Sequence, residues 1–378
     1  MTERRHIAVV GGGIAGLTFA ACLGDRFACT VFEKRASFGE AGAAISLWPN
    51  ALCVMDELGV LEQVLEVAGR ITKAYLKTSS GAVLAESVPK SDYPLICMHR
   101  QDLHRVLLER AGARLVPDRA FESLRQRGDG RVEATFVGGE TEVFDAVVGA
   151  DGLRSKVREA ILGDGEPVYR GYSCWRGVVK SDFEVGYSSE TYGRGQRVGI
   201  VPIKNGSYGW WATCNEPATR GDEPEGRRAK LRRLFGGWHD PIPAFIEDTE
   251  VILKNSLFDR APSARWYDGD VVLLGDAAHP MTPNLGQGGC AAIEGAYLLA
   301  SAINAYGLGE RAYARYVELH YPRAKMLVNE SLKFGRVGQL ENPLMTALRD
   351  ASLRLAPASL AERIVSAYFS HRVTTLTV

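Results

Sequence analysis

The chain has no surplus charge of either sign. Among its 378 residues, 45 Lys and Arg balance 45 Asp and Glu. A nucleic-acid-binding surface draws on clustered basic excess, so no polynucleotide partner is expected. Cysteines are few: Cys22, Cys29, Cys53, Cys97, Cys174, Cys214 and Cys290. They are scattered, odd in number and never spaced as CxxC, which argues against a disulfide framework and a zinc site. A reducing, cytoplasmic setting is the better fit. No HExxH segment or Cys/His cluster suggests a metal. No apolar run approaches the roughly 20 residues of a membrane span. The basic start, Met1 to His6, meets Gly11 after only four apolar residues, too few for the core of a secretion signal. Internal repeats, low-complexity tracts and long linkers are also missing. The length suits two domains sharing an interface, as a monomer or homodimer with a small-molecule partner.

What is present is an α/β pattern. Residues 6–10 (HIAVV) read as a buried parallel strand, followed by a glycine turn and a helix from Ile14 to Leu23. Cys29 to Glu33 reads as a second strand, Pro49 to Leu58 and Gln101 to Ala111 as helices, and Phe144 to Gly149 as another strand. From about Val168 to Asp259 the pattern becomes short aromatic and β-branched segments: Tyr172 to Val179, Arg197 to Ile203 and Tyr208 to Cys214. These predict an antiparallel sheet over a pocket. Asp270 to Gly275 returns to a parallel strand, a long helix starts near Gly288, and the tail from Glu310 reads as helices broken at Pro322, Pro343 and Pro357. The expected architecture is a Rossmann-like domain from residues 1–70, 100–167 and 265–330. An inserted antiparallel substrate domain takes residues 71–99 and 168–264, and C-terminal helices take 331–378.

Three motifs carry chemistry. Gly11-x-Gly13-x-x-Gly16, with Ile14 and Ala15 opening the helix, permits a tight turn and close approach of a pyrophosphate to a helix N-terminus. Glu33, about 20 residues on, suits the adenosine ribose hydroxyls. This says adenine dinucleotide without choosing FAD over NAD. Gly275-Asp276-Ala277-Ala278-His279-Pro280, continuing to Gly289, puts an acid at a strand end and then lets backbone run beside a flat ligand. Its plainer alternative is a strand–loop–helix connection. Asp151-Gly152 after the Val147-Val148-Gly149 strand is the third motif, and alone it could be only a turn.

Together these motifs resemble the group A flavoprotein monooxygenases, the aromatic-ring hydroxylase family. The resemblance covers essentially the whole chain, including GAAISLWPNAL (Gly42 to Leu52) and HRQDLHRVL around Arg100. The loop after Asp276 is most similar to the zeaxanthin epoxidase-like and urate hydroxylase-like branches. The resemblance implies FAD as cofactor and NADPH or NADH as co-substrate. It also implies hydroxylation or epoxidation of a small aromatic, heteroaromatic or polyene-type ring through a flavin C4a-hydroperoxide. A flavin oxidase or reductase without productive oxygen transfer is the alternative.

By position, the resemblance implies Gly11, Gly13 and Gly16 at the pyrophosphate, Glu33 at the adenosine ribose, and Arg35 and Arg100 along the phosphates and ribityl chain, with Ile14, Ala15, Lys34 and Ala44 also among the residues that hold the cofactor. Asp276 serves the ribityl or pyrophosphate region. Pro283, Gly286, Gln287, Gly288 and Gly289 border the isoalloxazine, with Pro283 and Gly288 beside the reacting ring. Asp151 organises both nucleotides.

Two positions depart from the family. Glu294-Gly295-Ala296 stands where many relatives have Glu-Asp-Ala. Gly209 stands where urate hydroxylase-like members carry tyrosine, with Tyr208 one place off and on the other strand face. Arg197 is the candidate substrate anchor, facing the pocket with Gly199 and Val201; its plainer reading is a structural ion pair. Tyr208, Trp175, Trp210 and Trp211 either line the pocket or pack the sheet. His279 is expected to be a hydrogen-bonded structural imidazole, and Cys290 a small residue in a tight turn. Trp210-Trp211 does not supply the WxWxIP signature of flavin halogenases.

Overall fold

The computed structural model describes residues 4–39, 43–183, 185–218, 224–357 and 367–378. Gly42, the first residue of the GAAISLWPNAL segment, lies outside them. Two sheets organise the chain. The first has six strands in the order Tyr267–Asp268, Val271–Leu273, Ala146–Gly149, His6–Val10, Ala28–Phe32, Arg114–Val116. All its pairings are parallel except the first. Helices Ile14–Leu23 and Gly288–Tyr306 pack together on it. The first of these is apolar all round and nearly wholly buried, as a helix held between a sheet and another helix must be.

The second sheet has seven strands, in the order Leu253–Asp259, Val168–Lys180, Ser207–Asn215, Gln196–Pro202, Ser188–Tyr192, Ala74–Thr78, Val83–Ser87. One face carries Trp175, Val198, Ile200, Tyr208, Trp210 and Ala212 into a core with helices Pro224–Phe235 and Ile242–Asp248. The alternating residues Arg176, Gly199, Val201, Gly209 and Trp211 turn the other way. A three-stranded sheet, Ala44–Leu47, Leu95–His99, Gly69–Ile71, meets that second face: a Cβ at Gly209 would lie 2.3 Å from Ala44 Cβ.

Two expected elements change. The strand expected from Phe144 to Gly149 is split at Asp145, whose carboxylate accepts from the His6 amide at 2.6 Å. Pro322 does not break the tail: one helix runs from Glu310 to Gly338 with Pro322 inside it. The proline costs about 3 kcal/mol. Burial of Tyr313, Tyr316, Leu327 and Val328 along the same face outweighs that. Pro343 instead opens the next helix, Pro343–Leu355, where a missing N–H is harmless.

Candidate active site

The first glycine motif is built to lie close to something. Gly11 has φ +112°, and a Cβ there would sit 2.3 Å from the Ala150 carbonyl oxygen. A Cβ on Gly16 would sit 2.1 Å from the Gly11 carbonyl oxygen. Gly13 caps the helix that Ile14 and Ala15 begin, without a side-chain acceptor for its first amides. Those amides are the orphan donors that bind anions. Glu33 follows the Ala28–Phe32 strand, and its two carboxylate oxygens accept from the Gly12 and Arg35 amides, each at 3.0 Å. The carboxylate is thereby fixed against the glycine turn. Lys34 and Arg35 are exposed beside it, with Arg35 donating to the Gly39 carbonyl at 3.1 Å. His104, which the sequence did not single out, is 2.7 Å from the Gly12 carbonyl and steadies the same turn. Burial lowers its pKa, opposed by that carbonyl.

The second motif meets the first. Gly275, at φ +61°, leaves room for Ala15, to which a Cβ would come within 2.8 Å. Asp276 keeps an exposed side chain although protein encloses it closely enough to push its pKa up, against the opposing pull of the Arg100 guanidinium. An open carboxylate within enclosing walls is a group on the floor of a cleft. Arg100 begins helix Arg100–Arg110 and feels Asp276, Arg176 and Arg35. Arg158, unmarked in the sequence reading, is wholly buried and donates to the carbonyls of Ala277 and Ala278 at 2.9 and 3.0 Å. It pairs with Asp164 as well. Asp151 accepts from Ser155 Oγ at 2.5 Å and from the amides of Lys156 and Val157 at 2.8 and 3.2 Å. It therefore caps the Lys156–Leu162 helix that carries Arg158, and so ties the third motif to the second.

Beyond Asp276, Pro283 opens a short 3-10 turn and is exposed, as is Gly286. Trp48 Nε1 donates to the Gly286 carbonyl at 3.1 Å, fixing the loop from the opposite wall. Gln287 is buried; its Oε1 accepts from Asn50 at 2.9 Å while its Nε2 has no partner. A Cβ on Gly288 would have Met281 Cγ at 3.8 Å as its nearest neighbour, so that side of the loop is open. Gly289 is tighter, with Ile45 Cδ1 at 3.0 Å. Exposed Pro283 and Gly286, open Gly288, the donor Gln287 Nε2 and the Asp276–Arg100 pair form a surface fit for a flat, polar-edged group joined to a pyrophosphate.

On the substrate side the structure shows what each candidate residue touches. Arg197 is buried and occupied: Nη1 pairs with Glu190 Oε1 at 3.0 Å, Nε donates to Gln339 Oε1 at 2.9 Å, and Nη2 to Asn284 Oδ1 at 2.6 Å. Nor does Gly199 leave space beside it, because the Trp211 indole fills that place, 1.9 Å from where a Cβ would lie. Arg197 is a held residue that steadies Asn284 in the Pro283–Leu285 turn. Tyr208 and Trp210 lie on the face turned toward the helices. Tyr208 Oη accepts from the Val185 amide at 3.1 Å, and Trp210 Nε1 donates to Thr249 Oγ1 at 2.7 Å. Both are packing residues of that core, although Trp210 also borders a small cavity. That cavity, of about 50 Å³, is lined by Ala44, Ser46, Cys97, Arg176, Val201, Trp210 and Trp211.

His279 is buried, 3.2 Å from His320 through their Nε2 atoms, and burial lowers its pKa to about 4. A Cβ at Gly295 would sit 2.9 Å from His320 Nε2, so the departure to glycine there makes room for the imidazole pair. Glu294 pairs instead with Arg323 at 3.0 Å. Cys290 is buried, and its thiol is pushed up to about 12. No group of three metal-ligating side chains occurs among the described residues, and no helix among them is long and apolar enough to cross a membrane.

Three comparisons bear on this arrangement. The FAD binding domain family matches residues 4–331. The aurachin C monooxygenase/isomerase of Stigmatella aurantiaca is 38% identical over 361 residues, covering 92% of this chain and 94% of that protein. The 3-amino-4-hydroxybenzoate 2-monooxygenase PtnB3 of Streptomyces platensis is 35% identical over 379 residues, with 94% of each chain covered. Among solved structures, HpxO of Klebsiella pneumoniae complexed with FAD and uric acid superposes with a TM-score of 0.87 at 26% identity, covering 97% of this chain and 96% of that one.

Proposed function

Because the chain belongs to the group A flavoprotein monooxygenases and is an FAD-dependent enzyme of that family, we propose a division of labour among its residues. Gly11, Gly13 and Gly16 hold the pyrophosphate, with Ile14 and Ala15 behind it. Glu33 takes the adenosine ribose, with Lys34 and Arg35 alongside. Arg100 and Asp276 bracket the ribityl and phosphate region. Pro283, Gly286, Gln287, Gly288 and Gly289 border the isoalloxazine, and Ala44 closes the wall opposite. Asp151 acts through Arg158, keeping the Ala277–Ala278 backbone where Asp276 needs it. The nucleotide domain is assigned residues 1–70, 100–167 and 265–330, the substrate domain 71–99 and 168–264, and the C-terminal helices 331–378.

Bound FAD, reduced by NAD(P)H, supplies the oxygen-activating chemistry. The protein's own work is to bind, orient and keep water out. Amides at the start of helix Gly288–Tyr306 favour negative charge on the adjoining edge of the ring. Arg197 positions Asn284, and through it the Pro283–Leu285 turn. The substrate is a small ring-bearing molecule, hydroxylated or epoxidised. The relatives' names, one acting on an aminohydroxybenzoate, support a substrate of that kind.

The observation that carries this reading is the convergence of Asp276, open yet enclosed, with Arg100 on one floor between the two glycine loops. The test is release of the bound flavin by heat. FAD, at one per chain, is expected; FMN alone, or no flavin after reconstitution with excess FAD, would contradict it.

A further inference from the structure

Two arginines on the same face of the seven-stranded sheet are in opposite states. Arg197 has its charge matched by Glu190 and three of its donors taken. Arg176 has neither. Among the described residues no carboxylate pairs with it. Its one hydrogen-bond partner is a neutral amide, with Nη2 donating to Asn255 Oδ1 at 2.5 Å. Its Nε is buried with no partner at all. A half-buried guanidinium without a counter-ion, with an unsatisfied buried donor, is costly unless an acceptor arrives. Arg100, close enough to repel it, raises that cost.

What lies beside Arg176 indicates the acceptor. Strand register sets Arg176 directly across from Trp211, and Trp211 across from Gly199. The Trp211 indole lies over Gly199, which can only be glycine there. It is half-buried, so part of its ring is open. Arg176 and Trp211 both line the cavity, with Ala44, Val201 and Cys97 as its small and apolar walls. At about 50 Å³ it has room for a few waters, or for one edge group of a ring, and not for the ring itself. Arg176 and Trp211 thus offer a cationic donor and an aromatic surface on one cavity wall. Ala44 belongs to both this cavity and the proposed flavin wall, so a molecule held here stands beside the flavin.

We propose that Arg176, and not Arg197, is the substrate-orienting residue, and that the substrate is a flat aromatic or heteroaromatic ring carrying an anionic oxygen on one edge. The oxygen enters the cavity and takes the unpartnered Nε donor of Arg176, while the ring lies along Trp211. The assignment rests on the monooxygenase reading only for the meaning of "substrate"; the recognition itself is a binding property of the FAD-loaded protein.

The experiment titrates the FAD-loaded protein with two matched pairs, 3-hydroxybenzoate against 3-hydroxybenzamide and quinoline-2-carboxylate against quinoline-2-carboxamide. Binding is read by perturbation of the flavin spectrum and by tryptophan fluorescence. A charge-assisted hydrogen bond predicts that at least one acid binds about ten- to a hundred-fold tighter than its amide. Arg176→Gln should erase the difference without changing FAD affinity, and Arg176→Lys should keep part of it. Four results overturn the proposal: equal affinity for acid and amide in the wild type; binding of none of the four; a preference that survives in Arg176→Gln; or a loss in Arg176→Gln that follows lost FAD. The wild-type comparison needs no variant, so misfolding of a mutant cannot shelter the idea. Failure of the functional reading looks different: the charge preference is present, yet NAD(P)H oxidation never puts oxygen into any bound ring.

Discussion

Substituting Gly11 and Gly288 separately divides structural glycines from ligand-facing ones. At Gly11 the backbone has φ +112°, and a new Cβ would stand 2.3 Å from the Ala150 oxygen and 2.7 Å from its carbon. Both are backbone atoms of the residue that follows the neighbouring parallel strand, so neither can swing aside. The left-handed conformation alone costs about 1–2 kcal/mol for a residue with Cβ, and the clash adds to it. Gly11→Ala should therefore lose at least about 2 kcal/mol of apoprotein stability, and FAD binding with it. At Gly288 the nearest atom to a new Cβ is Met281 Cγ at 3.8 Å, an ordinary contact. The residue opens a helix, where alanine is preferred to glycine by up to about 1 kcal/mol. Gly288→Ala should leave apoprotein stability unchanged or slightly raised, and Gly288→Val should fold. Both should hinder approach of the flavin ring, valine more. The assays are thermal unfolding of the apoproteins, FAD titration, and the rate of flavin reduction at matched FAD occupancy. Wild-type flavin affinity and reduction rate in Gly288→Val would refute the assignment of this loop to the ring. An unfolded Gly288→Val apoprotein would refute the claim that the space beside Gly288 is open.

Asp276→Asn should weaken FAD by about one to two decades, read by titration, because a charge-assisted hydrogen bond is worth about 1.5–3 kcal/mol. Burial raises the pKa of Asp276 in the folded apoprotein, so the folded state holds its proton more tightly than the unfolded state. That acid destabilises the apoprotein increasingly as pH rises above about 4. Asp276→Asn apoprotein should then melt higher than wild type at pH 7, with the gap closing below about pH 4. The His279–His320 pair has the opposite sense. Both folded pKa values are depressed, that of His279 to about 4, so stability is full above about pH 6.5 and falls as acid protonates the unfolded chain first. The slope should approach about 1.4 kcal/mol per pH unit for each imidazole, and denaturant unfolding of His320→Leu between pH 4 and 7 should show a shallower slope. Glu190→Gln strands the buried Arg197 charge and should cost about 3–5 kcal/mol in denaturant unfolding while leaving FAD affinity intact.

The nucleotide end was legible because backbone requirements leave marks in sequence. A positive φ at Gly11 and a 2.1 Å approach at Gly16 permit only glycine, and apolar runs on either side define strand and helix. The helix Ile14–Leu23 was read to the residue for the same reason. The substrate end was harder. Alternation along the strand groups Arg197 with Gly199 and Val201, but it says nothing about partners from other segments, whether the adjacent strand or far along the chain. Glu190, Asn284 and Gln339, which occupy the guanidinium, come from three other elements. Beside Arg197, at Gly199, a neighbouring strand's indole occupies the place of a side chain. Arg176 carries no mark in the sequence, because a lone arginine beside a core tryptophan reads as an ordinary exposed strand residue. The same alternation that sends Trp175 into the core turns Arg176 to the cleft. Pro322 signals a break locally, and only the long buried face of the folded helix offsets its cost.

The most direct test of the account is the fate of molecular oxygen. The FAD-loaded enzyme is given NAD(P)H, 18O2 and a panel of ring-bearing acids, and the products are analysed by mass. At least one compound should give a product carrying one 18O atom from O2, with close to one NAD(P)H consumed per product formed. NAD(P)H oxidation that returns all its oxygen as hydrogen peroxide, with no labelled organic product across the panel, would contradict it.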